Sequence, residues 1–183
     1  MAIRACIPDA FPGFDGYEVC RGYMSLKVVL KKKKHNSRSR FAVVVSKFNS
    51  GITETMLTAC LDEFLRLGVR PSDVQVVRVP GSFEIPLTAL KLAQKKNIQA
   101  VICLGAVIRG QTLHYELVAE QAARGIMDVS LKAEKPVVFE ILAADTVKMC
   151  EDRAREGDRD NKGASAARVA FEMVETLAWI RSM

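Results

Sequence analysis

FAVVVS (41–46) is six residues of nearly unbroken apolar and β-branched side chain, and its reading decides the fold. A strand with one wet face alternates apolar and polar residues; a short run without alternation suits a strand covered on both faces of a parallel sheet. VQVVRV (74–79), AVICLGAV (100–107) and PVVFEIL (136–142) share that character, each bounded by turn residues. Between them the period becomes helical. Met56, Cys60, Phe64 and Leu67 recur at helical spacing within 52–67. Leu87, Leu90, Ala93 and Gln94 suggest a shorter helix. Leu117, Val118, Ala122, Ile126 and Val129 form a third apolar stripe, and Val169, Ala170, Met173, Val174, Leu177 and Ile180 one face of a last helix. Gly68 and Gly163 stand where a helix end and a helix start want them. Strand and helix alternating four times predicts right-handed βαβ units: an α/β protein, a three-layer αβα sandwich around a four-stranded parallel sheet.

Outside this region the grammar changes. Residues 1–26 hold Pro8, Pro12, Gly13, Gly16 and Gly22 without periodicity and read as an irregular extension. Residues 27–40 are a short strand candidate, KVVL (27–30), followed by a basic segment; 41–183 form the folded domain. The net charge of +6 is carried by KKKKHNSRSR (31–40) alone, because 1–30 hold three bases and three acids and 41–183 sum to zero. So short a run, without interleaved aromatics, reads as a solvated segment, and nucleic acid is not an expected partner. A steep salt dependence of nucleic-acid binding, abolished by removing 1–40, would reverse that reading. No apolar run reaches ~18 residues, so no membrane span is expected. Five widely spaced cysteines without a CxxC pair argue against disulfides or zinc and for a reducing, cytoplasmic setting. Cys60 and Cys103, inside apolar segments, read as core residues.

Ligands of such sheets bind outside the carboxyl ends of the strands, which directs attention to the loops after Ser46, Val79, Val107 and Leu142. The first carries Phe48 and Asn49; a Phe in a polar turn is either a core plug or a flat surface for an aromatic ring. The second presents Ser82, Phe83 and Glu84 at a helix start, where a carboxylate is favoured by the dipole. In the third, Gly110 permits a tight turn, and the N–H groups near Gln111 and Thr112 open a long helix, a natural anion site. His114 falls in that helix's first turn. A lone His is usually structural, but one beside an anion site at a strand end suits proton transfer. After the fourth strand Asp145 starts a short helix bearing Arg153, and Asn161-Lys162-Gly163 leads into the last helix. An Arg and a Lys aimed at one crevice would suit phosphate.

FN (48–49), VPGSFEIP (79–86), GAVIRGQTLHYE (105–116) and DR…NKG (152–153 and 161–163), in this order and at these spacings, resemble the motifs of the lumazine synthase family, over about residues 27–183. Residues 155–160 (REGDRD) depart from the family's usual linker, being longer and lacking its small residues. The resemblance implies a flavodoxin-like sheet, an N-terminal strand (KVVL) added to a neighbouring subunit's sheet, and a site shared between neighbouring subunits of a homopentamer or a multiple of one. It also implies riboflavin synthase as a candidate partner, and neither metal nor other cofactor. The implied enzyme is a transferase of riboflavin biosynthesis that condenses 5-amino-6-(D-ribitylamino)uracil with 3,4-dihydroxy-2-butanone 4-phosphate. By the same resemblance Phe48 stacks on the pyrimidine, while Asn49, Ser82, Phe83 and Glu84 meet the ribityl chain. The backbone of Ala106, Val107 and Ile108 holds the pyrimidine edge, and Phe139 comes from the neighbouring subunit. Gln111, Thr112, Arg153 and Lys162 bind the phosphate, and His114 is the acid/base. The competing reading is a non-catalytic flavin-binding or shell protein of the same fold, which a turnover assay separates.

The strand reading of 27–30 has a direct test. A chain beginning at Met24 is expected to keep assembly size and activity, and one beginning at Arg40 to lose oligomer stability in light scattering. Normal assembly without 27–30 would remove the strand from the reading.

Overall fold

The computed structural model describes residues 39–155, 157 and 160–183. The extension 1–26, the expected strand 27–30 and the basic run as far as residue 38 lie outside the described residues. The four apolar runs are strands: β1 Phe41–Ser46, β2 Val74–Val79, β3 Ala100–Ile108 and β4 Val137–Ala144. The helices are α1 Ser50–Arg66, α2 Ile85–Ala93, α3 His114–Ala133, α4 Val147–Arg153 and α5 Lys162–Ile180. All strand pairing is parallel, in the order β2-β1-β3-β4, the order of flavodoxin-like sheets. Phe41 stands opposite Val74 on one side and Ala100 on the other, so β1 is paired along both edges.

The missing alternation in β1 now has its cause. Phe41, Val43 and Val45 pack with Met56, Cys60 and Phe64 of α1 and Ala166, Ala167 and Ala170 of α5. Ala42 and Val44 enter the opposite layer, with Ile85, Ala89 and Leu92 of α2 and Ala122, Ile126 and Val129 of α3. Both faces are covered, and every β1 residue is buried. Cys60 and Cys103 sit in these cores as expected, and burial pushes both thiols up.

The helix faces correct the sequence reading. Val169, Met173 and Ile180 of α5 are exposed in the single chain, and the residues turned to the sheet are Ala166, Ala167 and Ala170. Leu87 of α2 and Leu117 of α3 are exposed as well. Periodicity marks an apolar stripe without saying which neighbour covers it. The reason on α5 is close approach. A Cβ on Gly163 would run into the Met56 main-chain carbonyl of α1, so the contact line must be built from small residues. Gly163 is therefore a packing residue more than a start signal. Asn161 caps α5 instead, its Oδ1 accepting from the Gly163 N–H at 2.8 Å. Thr146, not Asp145, caps α4, accepting from the Met149 N–H.

Gly163→Ala is expected to cost about 2–3 kcal/mol or more, because the obstructing atoms are main chain and cannot swing aside. Urea denaturation reads the loss; an unchanged midpoint would show that the spacing of α1 and α5 is soft.

Candidate functional site

The carboxyl ends of β1, β2 and β3 form one crevice, and local hydrogen bonds fix its walls. The turn after β1 is tied to the end of β2: the Lys47 N–H donates to the Val79 carbonyl at 2.8 Å and the Phe48 N–H to the Pro80 carbonyl at 3.1 Å. Asn49 then takes a left-handed conformation (φ 58°), which Asn tolerates better than most residues. Its side-chain amide donates to the Ala106 carbonyl at 2.9 Å, crossing from β1 to β3. Phe48, between these anchors, is 70% exposed. A core plug would be buried, so the core-plug reading does not hold in the single chain.

Opposite it, a 3-10 turn at Ser82–Glu84 leads into α2 and leaves Phe83 58% exposed. Ser82 is buried, and a Cβ on Gly105 would lie 2.6 Å from its Oγ; only glycine lets β3 and this turn approach so closely. Glu84 is exposed at the α2 start and makes no side-chain cap.

The floor is an open strand edge. Pairing of β1 with β3 ends at Val45 and Leu104, yet β3 runs on to Ile108. Past Leu104 the β1-side edge of β3 has no strand partner among the described residues, and Asn49 meets only the Ala106 carbonyl. Main-chain groups of Ala106 and Ile108 face this edge, whereas those of Val107 turn the other way, towards β4, as the Val101 N–H to Pro136 and Arg109 N–H to Ala144 bonds show for alternate residues of β3.

The third wall is the loop Arg109–Leu113 and the start of α3. Gln111, Thr112 and His114 are exposed, and the helix begins at His114 itself, so its free N–H groups open on the crevice. Thr112 Oγ1 lies 3.4 Å from the His114 N–H. Arg109, which the sequence reading passed over, stacks over the Tyr115 ring and pairs with Glu116 and Asp145.

The remaining expected residues lie elsewhere on the chain. Phe139, half exposed on the edge strand β4, pairs with Cys103, about 16 Å before the carboxyl end of β4 at 3.3 Å per residue. Lys162 opens α5 and acts on Glu140, the next β4 residue. Arg153 ends α4 exposed, donating to the Met149 carbonyl of its own helix at 2.9 Å. One chain therefore gathers Phe48, Asn49, Ser82, Phe83, Glu84, Ala106, Val107, Ile108, Gln111, Thr112 and His114. Phe139, Arg153 and Lys162 are not among them.

Glu140 is the second residue the sequence reading missed, although a carboxylate inside PVVFEIL was a visible signal. It shares the α5-facing side of β4 with the buried Val138 and Leu142. Burial pushes its carboxyl up to about 7, with Lys162 pulling the other way.

The parallel sheet in the order β2-β1-β3-β4, with helices on both faces and its direction reversing at β1/β3, makes this an α/β protein of the flavodoxin-like class. Residues 38–178 match the family model of 6,7-dimethyl-8-ribityllumazine synthase. The 6,7-dimethyl-8-ribityllumazine synthases of two strains of Thermus thermophilus are each 48% identical over 138 residues, covering 75% of this chain and 87% of theirs. That of Protochlamydia amoebophila is 44% identical over 145 residues, 79% of this chain and 84% of its own. The chain belongs to the 6,7-dimethyl-8-ribityllumazine synthase family, transferases of riboflavin biosynthesis. Among the described residues no helix is long and apolar enough to cross a membrane.

Glu140 gives the stability a pH dependence whose sign is fixed. Its folded value lies above the ordinary glutamate value of about 4.3, so its favourable contribution is complete below that value and is lost as pH rises through about 7. Solvent screening of its exposed part limits the loss to on the order of 1–2 kcal/mol. Glu140→Gln is expected to stabilise the protein at pH 8, with most of the gain gone by pH 5. Urea midpoints at the two pH values check it, and equal gains at both would contradict the titration.

Proposed function

We propose that this chain condenses 5-amino-6-(D-ribitylamino)uracil with 3,4-dihydroxy-2-butanone 4-phosphate, giving 6,7-dimethyl-8-ribityllumazine, phosphate and water. The observation that carries the reading is the β3 edge at Ala106 and Ile108, open beyond its pairing with β1, together with two exposed rings, Phe48 and Phe83, on the loops after β1 and β2. A flat pyrimidine has what that edge lacks: donors and acceptors in its plane and faces that stack on an aromatic ring. Asn49, Ser82 and Glu84 then line the way for the ribityl hydroxyls.

The 5-amino group attacks the ketone of the second substrate and an imine forms with loss of water. Phosphate is eliminated, and ring closure with loss of a second water completes the product. No electrons are transferred to or from an outside partner, so the proposed reaction asks for no redox cofactor. Each step moves protons, and His114, exposed at the crevice, is the group on hand; a positioned His contributes ~10²–10⁴-fold. Gln111, Thr112 and the α3 N-terminus meet the phosphate, with Arg153 able to bind it as a fork and to stabilise it as it leaves. Holding two substrates face to face is worth ~7–11 kcal/mol, so positioning outweighs any single proton transfer.

Because Phe139, Arg153 and Lys162 are not among the residues one chain gathers, the reading includes a homo-oligomer in which a neighbouring copy supplies them. A pentamer or its multiple is the assembly expected. The described cysteines, Cys60, Cys103 and Cys150, are free, which suits a reducing, cytoplasmic setting.

The test is turnover with both substrates, followed by the visible absorbance of the lumazine. His114→Ala is expected to lower turnover by roughly one to three orders of magnitude and to leave pyrimidine binding nearly intact. A wild-type chain that binds the pyrimidine but makes no product would sink the assignment. Unchanged turnover in the variant would take His114 out of the mechanism.

A further inference from the structure

The His114 imidazole makes no hydrogen bond among the described residues, and Leu113 before it offers no side-chain cap to α3. Its one local support, Thr112 Oγ1 facing the His114 N–H at 3.4 Å, is long for a hydrogen bond. The orientation of the first turn of α3 must be fixed by something else.

We propose that Arg109 is the positioning residue for His114, clamping the first turn of α3 to the carboxyl ends of β3 and β4; this rests on the acid/base role proposed for His114. Arg109 follows directly on β3, and its N–H donates to the Ala144 carbonyl at 3.0 Å, so its own backbone is anchored at the last residue of β4. From there the guanidinium works in three directions. Nε donates to Asp145 Oδ1 at 2.6 Å, in the turn between β4 and α4. Nη1 donates to Glu116 Oε1 at 2.5 Å, and the guanidinium carbon lies 4.7 Å from the centroid of the Tyr115 ring. Tyr115 and Glu116 are the two residues after His114. Holding both of them fixes the helical turn from which the imidazole projects.

The same contacts argue against a direct role on substrate. Two carboxylates already face the guanidinium, which makes it a poor additional site for phosphate. Lysine cannot replace it, because one ammonium neither forks to two carboxylates nor stacks on the ring.

A double-mutant cycle separates positioning from direct catalysis and from mere stability. Turnover and both KM values are measured for the wild type and for Arg109→Ala, His114→Ala and the double variant, with assembly size checked by light scattering. Arg109→Ala is expected to lower kcat about 10–100-fold and leave both KM values within about 3-fold, and to cost under about 3-fold once His114 is already alanine. Arg109→Lys should recover little of kcat. If Arg109→Ala does not assemble, Arg109→Lys and Glu116→Gln carry the same cycle. A full-sized loss in the His114→Ala background overturns the proposal while leaving His114 as the acid/base. So does a rise confined to the KM of the phosphate substrate, which would make Arg109 a phosphate ligand. If His114→Ala itself keeps full turnover, both readings fall together.

Discussion

Strand β1 is paired along both edges and covered on both faces, and the other layers are placed by reference to it. Burying one Val or Phe side chain contributes roughly 1.5–3 kcal/mol, and β1 buries Phe41, Val43, Val44 and Val45 within six residues. A polar substitution there would find neither water nor a partner. The same strand is also where the chain changes direction. From β1 it leaves through α1 on one face of the sheet, whereas from β3 it leaves through α3 on the other. The two exits part company at the carboxyl ends, and the crevice is the gap this leaves.

What lines that gap follows from how each loop is restrained. Phe48 is exposed, yet it is not loosely held: main-chain bonds to Val79 and Pro80 precede it or include its own N–H, and the Asn49 amide bond to Ala106 follows. On the proposed reading, an aromatic ring kept out of the core by its own backbone hydrogen bonds is a surface held ready for a ligand. Gly105 makes the opposite adjustment, giving up a side chain so that Ser82 can close against β3. Together these tie the loops after β1 and β2 to the end of β3.

Much of this was legible in the sequence because burial on both faces leaves a run with no alternation, and β1 and β2 have the bounds that their apolar runs predict. β4 begins and ends later than PVVFEIL suggests, since Pro136 has no N–H for a ladder and Ala143 and Ala144 carry little apolar signal. The helix faces were less legible. Leu87, Leu117 and Val169 have the right period but no cover among the described residues, and α5 meets α1 at Gly163, where a side chain would strike the Met56 main chain. Residues alone pointed to the four loops; the motif resemblance supplied roles within them. For Phe48 the exposed ring excludes the core-plug reading in the single chain. Arg109 was illegible because its partner Asp145 lies 36 residues away, and only the adjacency of β3 and β4 makes them meet.

The edge strand β4 explains why the proposed site divides as it does. An edge can carry what a central strand cannot, and Glu140 is tolerated there because part of it reaches solvent and Lys162 stands near. Phe139, its neighbour on the other face, is half exposed for the same reason. Yet about 16 Å of strand separates Phe139 from the carboxyl end of β4 at 3.3 Å per residue, far beyond the contact distance of one small ligand. No side-chain rearrangement within the chain closes that distance. On the proposed reading, a reaction using Phe48 and His114 together with Phe139, Arg153 and Lys162 draws on two copies, with the β4 edge of one against the crevice of the other. On the proposed reading, assembly is then a condition for chemistry, and the exposed Leu113 and Leu117 at the start of α3 lie beside that crevice, where a second copy would cover them.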